Sequence, residues 1–416
     1  MTPRVWFKSI SLENVRSFGT KQTIDFTDKD GNAAQWNVIL GDNGTGKTTV
    51  LKCLYNAVQS PYEFNTKLHL HFGLHRKSNK DVNVDGIISI NGKDNSIGFK
   101  LESKGKIGIS YGSQMDYYKP ISKIIFSNIN LDEINIFAYG ASRNIGTSAI
   151  SEDNNESVDT LFIDNANLIN AEEWLLQADY LSYKDPKLTG RYGLVKEILL
   201  SLLKEQVLDI YIDTTQNTPK VIFKTIYGDV RLHQLSLGYK TLIAWVVDFA
   251  KRLLDRYGSD EPLTKPAICL VDEIDLHLHP KFQRTIIQFL TETFPNTQFI
   301  VTAHSPLIVQ SAGDANIILL KRVGDEVHVE NDPVDVRNWR LDQILSSELF
   351  GIEYKTLQMR RERDKLLGKN VLSEQEHNRL LELNAELDSV PFSSDPAEMK
   401  AETIIYQLAE ALRDRM

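Results

Sequence analysis

The chain has 416 residues, 42% of them hydrophobic, and its 56 acidic and 47 basic side chains give a formal net charge of −9. That length carries two or three domains with a sizeable core, and the acidic balance speaks against a protein coated in nucleic acid. With no basic start leading into an apolar stretch, and no apolar run of about 18 residues, the reading is a cytoplasmic chain without a membrane contact.

From the N-terminus, VWFKSISLENV (Val5–Val15) and KQTIDF (Lys21–Phe26) predict paired strands. WNVIL (Trp36–Leu40) predicts a short buried strand, and KTTVLKCLYNAV (Lys47–Val58) a helix with apolar positions at helical spacing. Residues 82–111 alternate apolar and polar positions, broken by Asn91-Gly92 and Lys104-Gly105, which predicts two or three antiparallel hairpin strands. Residues 120–139 return to a core strand, INIFAYG, and the polar run Asn144–Ser157 reads as a mobile surface loop. A helical pattern follows from Val158 to about Gln206, then a hairpin of DIYID with KVIFKT, then a helix over Tyr239–Tyr257. PAICLVDEI (Pro266–Ile274) and TQFIVTAHS (Thr297–Ser305) predict strands on either side of a helix over Lys281–Phe294. From Asp342 the chain reads as mostly helical, charged over 356–388 and amphipathic in its last residues. Cys53 and Cys269 fall in apolar runs and read as buried thiols rather than a disulfide. Two basic stretches, Lys67–Lys80 and Arg360–Lys369, are either solvated faces or a local nucleic-acid contact.

Four motifs carry chemistry. Gly41-Asp42-Asn43-Gly44-Thr45-Gly46-Lys47-Thr48 fits G-x-x-x-x-G-K-[ST], between a predicted strand and a predicted helix. The glycines let backbone amides cradle phosphates at a helix N-terminus, with Asp42, Asn43, Thr45 and Thr49 completing the cradle. Lys47 would bridge the β- and γ-phosphates of ATP, and the Thr48 hydroxyl would hold Mg²⁺. Downstream, the apolar strand ICLV ends in Asp272-Glu273. Asp272 suits a metal-linked carboxylate and Glu273 a base for the attacking water, although an acidic pair after an apolar run is common. His304 follows the next strand, where it could contact the γ-phosphate; a lone histidine is as readily structural. Leu235-Ser236-Leu237-Gly238 opens a helix, which alone would be an ordinary cap.

Taken in this order, the four motifs resemble the ABC-type ATPases: phosphate loop, Leu-Ser-x-Gly signature, Asp-Glu strand and switch histidine. The resemblance covers residues 1 to about 345 and implies an α/β P-loop fold with a mixed core sheet, an antiparallel β subdomain, a helical insertion and a C-terminal helical tail. It divides the chain into 1–143, carrying the phosphate loop and β subdomain, and 144–238, the helical insertion ending in the signature. Residues 239–341 then carry the acidic strand, D-loop and switch histidine, and 342–416 an assembly or partner-binding region. It also implies that Leu235, Ser236 and Gly238 act in trans, closing on the phosphates of a second copy in a head-to-tail homodimer. The opening SISLENVRSFG resembles RecF, SMC and OLD-like ATPases, and on that likeness Arg16 and Ser17 approach the nucleotide. Asp275, in DLHLHP after the acidic pair, would be the D-loop residue, or simply part of a turn before Pro280. Arg143, in AYGASR, would sense phosphate or anchor the lobe.

LINAEEWLLQADY, HQLSLGYKTLIAWVVDFA, VDEIDLHLHPKFQR and LDQILSSELFG together look most like the stand-alone ATPases of bacterial anti-phage defence, the Septu ATPase subunit first and the PARIS and retron-associated ATPases next. That likeness implies an ATPase, without a nuclease domain of its own, that regulates a separate HNH- or Toprim-type effector nuclease and assembles into a higher homo-oligomer. The alternatives are a DNA repair or recombination ATPase that clamps DNA, and a scaffold whose nucleotide only locks an oligomer. The intact Glu273 and His304 speak against the scaffold.

Overall fold

The computed structural model describes residues 4–58, 74, 76, 80–101, 107–111, 114–118, 121–126, 134–146, 156–215, 218–258, 261–331, 333, 339, 344, 350, 355–369 and 373–388. Most of the first basic stretch, residues 147–155 of the expected loop, and the amphipathic end therefore lie outside the described residues.

The central sheet is built from β3 (Trp36–Gly41), β9 (Ile136–Tyr139), β13 (Ala267–Val271), β14 (Thr297–Thr302), β15 (Asn316–Val323) and β16 (Glu326–Asn331). Its order is β16-β15-β3-β14-β13-β9. Five strands run parallel, and β16 adds an antiparallel edge. Both faces are covered, so the strands are continuous apolar runs and not alternating ones. Ile39, Ala138, Ile268, Leu270, Ile300 and Ile318 enter one core. Their neighbours Val38, Leu40, Tyr139, Cys269, Phe299 and Val301 enter the other. Both cysteines are free and buried, as expected.

The first core is closed by a second, antiparallel sheet of β1 (Val5–Glu13), β2 (Gln22–Asp25), β4 (Val82–Ile90), β5 (Lys93–Leu101) and β8 (Ile121–Phe126), in the order β2-β1-β4-β5-β8. Helix α1 (Lys47–Ala57) packs against strands of both sheets. A separate hairpin joins β6 (Ile107–Tyr111) to β7 (Gln114–Tyr118). The second core is covered by α3–α5 (Ala171–Lys184, Arg191–Leu202, Leu237–Tyr257) and a small sheet of β10 (Val207–Asp213), β11 (Lys220–Thr225) and β12 (Gly228–Arg231), whereas the short α2 (Asp159–Phe162) packs Leu161 and Phe162 on the first core. The predicted hairpin is thus a three-stranded meander.

The helix expected over Lys281–Phe294 is two: α6 (Pro280–Gln283) and α7 (Ile286–Thr293). The backbone of Thr285, at φ −117°, departs from helical values, and its amide bonds the Phe282 carbonyl three residues back, which interrupts the i to i−4 ladder. A short α8 (Pro306–Ser311) follows β14.

Residues Met1–Ile344 with Glu348–Phe350 form one compact unit, and Leu345–Ser347 with Gly351–Met416 a second. In the second unit, α9 (Lys355–Leu367) and α10 (Glu374–Asp388) pack through Met359, Leu366, Leu380, Leu383 and Leu387. Ser373 and Glu376 exchange hydrogen bonds as a capping box at the start of α10. No helix among the described residues is long and apolar enough to cross a membrane. The architecture is the α/β, ABC-type P-loop arrangement with a mixed core sheet that the motif order implies.

Candidate active site

Because β3, β14, β13 and β9 are adjacent and parallel, their carboxyl ends share one edge of the sheet, where open α/β folds place their ligands. That edge collects the loop after Gly41, the Thr302–Ser305 turn, the Asp272–Glu273 pair and the Gly140–Arg143 segment. Residues from about 30 to about 260 positions apart in sequence therefore become neighbours.

The loop is shaped by backbone that side chains would block. Gly41 has φ +147°, and a Cβ there would lie 2.6 Å from the Leu320 carbonyl oxygen. Gly44 and Gly46 are left-handed, at φ +81° and +94°, the kind of turn that lines a concave, anion-accepting surface with amides. Thr45 donates its hydroxyl to the Asp42 carbonyl at 2.9 Å, while Asp42, Asn43 and Gly44 form the exposed rim. Thr49 is buried in the first turn of α1. Ser17 donates to the Thr45 carbonyl at 3.2 Å, so the Val15–Phe18 turn is lodged against the loop, with Arg16 exposed in it. That turn is held in place by Arg76, whose guanidinium donates to the Arg16 and Ser17 carbonyls and pairs with Asp325.

Lys47 is largely buried, and its ammonium donates to the carbonyls of Gly41 at 2.7 Å and Asp42 at 3.0 Å. Desolvation lowers its pKa, and Asp272, Glu273, Asp42 and Asp275 pull the other way. Beside it, Thr48 donates its hydroxyl to one oxygen of Asp272 at 2.7 Å. Thr302 donates to the other at 2.6 Å, and accepts the Glu273 amide at 2.7 Å. One threonine hydroxyl and one carboxylate are hard oxygen donors of the kind Mg²⁺ takes together with phosphate oxygens and water. The residues fit that ion, and the loop fits the triphosphate.

Glu273 sits at φ +49°, strained for a side chain with a Cβ. What holds it there is Arg143, which is buried and donates to the carbonyls of Asp272 at 2.8 Å and Glu273 at 2.9 Å. Burial brings the Arg143 pKa down to about 10 against the pull of three nearby carboxylates, Asp272, Asp275 and Glu273. Of the two roles open from sequence, this geometry is that of an anchor.

The side chain of His304 is exposed, while its backbone amide donates to both oxygens of Asp275, at 3.3 and 3.1 Å. The signature stands apart from these contacts. Ser236 is the exposed N-cap of α5, Leu235 packs in part on the second core, and Leu237 is 54% exposed. Among the described residues no hydrogen bond joins Leu235, Ser236 or Gly238 to the phosphate loop, Asp272 or His304. Gly238 instead meets the turn after Glu273: a Cβ there would lie 2.2 Å from the His277 carbonyl oxygen.

The structure thus gathers Ser17, Lys47, Thr48, Asp272, Glu273, Asp275 and His304 at one sheet edge. Thr302 was not among the sequence candidates, although it stands in the quoted motif two residues before His304. Its signal was position alone, a hydroxyl at the end of an apolar strand.

The fold and site agree with the sequence comparisons. The chain is 25% identical over 367 residues to the Septu protein PtuA of Bacillus mycoides, covering 85% of this chain and 45% of that protein. It is 23% identical over 396 residues to the Septu protein PtuA of Bacillus thuringiensis, covering 86% of this chain and 89% of that protein. It is 40% identical over 131 residues to the "Retron Vc95 probable ATPase" of Vibrio cholerae, covering 31% of this chain and 26% of that protein. The chain therefore spans less than half the length of the Bacillus mycoides and Vibrio cholerae relatives. The resemblance to defence-system ATPases read from the motifs is borne out. A solved SMC head domain from Thermotoga maritima is 18% identical, with a TM-score of 0.44 over 79% of this chain and 100% of its own. A family model described as "AAA domain, putative AbiEii toxin, Type IV TA system" matches residues 36–310, from the strand before the phosphate loop to the helix after His304, and the chain belongs to that AAA domain family.

Proposed function

We propose that this chain is the ATP-hydrolysing, regulatory subunit of an anti-phage defence complex, working through ATP-dependent pairing to control a separate effector nuclease. The observation that carries the ATPase half of this reading is the hydrogen-bonded chain Thr48–Asp272–Thr302–Glu273 beside Lys47. It supports a site able to bind a nucleotide and to cleave it. The defence half rests on the likeness to Septu and retron ATPases.

In this reading Lys47 and the amides of Gly44–Thr49 hold the β- and γ-phosphates. Thr48 and Asp272 hold Mg²⁺, which when bound neutralises charge developing on the phosphate oxygens. The Glu273 carboxylate takes a proton from the attacking water as its oxygen bonds to the γ-phosphorus and the bond to ADP breaks. His304 stands at the γ-phosphate end and Arg143 fixes the backbone of both acids. Ser236 and Gly238 of a second copy close the site, and Asp275 lies along that junction. Arg16 and Ser17 border the nucleotide. The 342–416 region then serves higher assembly and holds a separate HNH- or Toprim-type nuclease.

Lys47→Ala is expected to abolish ATP binding. Glu273→Gln is expected to bind ATP, stop turnover and accumulate as a dimer, read by light scattering with and without ATP. A Glu273→Gln protein that stays monomeric in ATP would overturn the paired site. Both variants are expected to lose protection in a phage challenge of cells carrying the chain with its neighbouring genes. Turnover stimulated by DNA and falling steeply with salt would instead favour the clamp.

A further inference from the structure

The two halves of the proposed composite site are joined inside one chain by a side chain that belongs to none of the four motifs. Gln283, the last residue of α6, donates its amide to the carbonyls of Leu278 at 2.9 Å and Asp275 at 3.3 Å. Its side-chain oxygen accepts the Ser305 hydroxyl at 2.6 Å, and its backbone carbonyl accepts the Ser311 hydroxyl at 3.1 Å. Ser305 in turn caps α8, accepting the Leu307 amide at 3.1 Å. One half-buried side chain therefore ties the turn after Glu273 to the turn that carries His304.

That tie lies in line with two other contacts. Asp275 receives the backbone amide of His304, so the D-loop and the switch turn are held twice. On the opposite side, the α-carbon of Gly238 is seated on the His277 carbonyl, in a turn whose His277 backbone is left-handed at φ +63°. A displacement at the signature therefore meets the D-loop as hard backbone contact, and the D-loop is bonded through Gln283 to the switch turn. Packed backbone and hydrogen bonds of this kind have few intermediate arrangements.

We infer that Gln283 is a positioning residue: it couples the signature and D-loop to His304, so that closure on one nucleotide sets the switch histidine of the same chain at the other. This rests on the composite site proposed above. The α6–α7 break follows directly after Gln283, and the Pro280 start of α6 fixes where the amide points.

The test is steady-state ATP hydrolysis of the full chain with the near-isosteric Gln283→Met, with Ser305→Ala, and with both. Gln283→Met, which removes all three of these side-chain hydrogen bonds, is expected to lower kcat about tenfold with the KM for ATP within about twofold, alongside a modest fall in thermal stability. The double variant is expected to lose little more kcat than Gln283→Met alone, because the Gln283–Ser305 bond is already gone in the single variant. A wild-type rate in Gln283→Met, or losses that multiply in the double variant, would overturn the coupling while leaving the ATPase reading intact. A wild-type chain with no turnover that Glu273→Gln removes would overturn the ATPase reading itself, and the coupling with it.

Discussion

Asp248 is fully buried in the middle of α5, in the run WVVDFA, and no solvent reaches its carboxylate. It survives there because Arg252, one turn on, donates Nε at 2.6 Å and Nη2 at 3.1 Å, and the Tyr139 hydroxyl donates at 2.9 Å. Burial, and then the Asp248 charge, push the Tyr139 phenol well above its usual pKa, so it stays a donor. The backbone of Tyr139 also accepts the Asp272 amide at 2.8 Å, so the network ends directly under the acidic pair. Removing the anion takes away the buried phenol's acceptor and the two bonds that Arg252 makes to it. Asp248→Ala is therefore expected to cost about 3–5 kcal/mol, and Tyr139→Phe about 1 kcal/mol, both read by chemical denaturation. A carboxylate in an apolar helix stands out in the sequence; its partner, 109 residues upstream, does not. The same limit applies to Arg143. Its neighbours in AYGASR say nothing about which carbonyls it meets, because those belong to a strand end about 130 positions later.

Among the elements, those whose pattern is set locally were legible. β3, α1, β13 and β14 carry either β-branched apolar runs or helical spacing, and the strand–loop–helix order placed Gly41–Thr49 at once. Less was visible where tertiary contacts decide. β12 is GDVR, two of its four residues exposed, and becomes a strand only by pairing with β11. β15 and β16 have ordinary strand composition but no motif to direct attention to them, and α6 and α7 are separated by a change of backbone at Thr285 that composition does not show. The glycines behave as their positions require. At Gly46, with φ +94°, a Cβ would lie 2.4 Å from the Ser17 hydroxyl and 2.9 Å from the Phe18 ring. Gly46→Ala is expected to destabilise the chain by about 1–3 kcal/mol and to weaken ATP binding, read by thermal unfolding and nucleotide titration. Adding Ser17→Ala is expected to recover only part of the stability, since the contact is relieved and the left-handed backbone is not.

For the whole molecule, the division into two compact units says where the chain can be cut. Ile344 is fully buried in the second core, and Trp339 and Phe350 pack against it. Removing residues 351–416 is therefore expected to leave ATP binding and ATP-dependent pairing intact while abolishing higher assembly or effector capture. Ending the chain before Trp339 is expected to lower stability by about 2–5 kcal/mol, since Ile344 leaves the core. Size measurements and an effector pull-down separate the two; a 1–350 chain that still captures its nuclease would place that contact in the ATPase unit. In the second unit, two of the three basic side chains described in Arg360–Lys369 are engaged by acids, Arg363 with Asp364 and Lys369 with Glu376, and Lys365 is exposed on the helix. That arrangement favours a solvated helix face over a nucleic-acid contact.

The central strand has one more implication. β3, made among the first forty-odd residues, hydrogen-bonds on its two sides to β14 and β15, whose residues come some 260 to 280 positions later. On the ribosome, the nucleotide-gripping motif thus emerges early but stays an unpaired ribbon until Thr297–Val323 has been synthesised, and contacts of such long sequence separation form slowly. A nascent or prematurely terminated chain therefore carries the motif without the grip, and the cradle takes its shape only when nearly the whole first unit has been made.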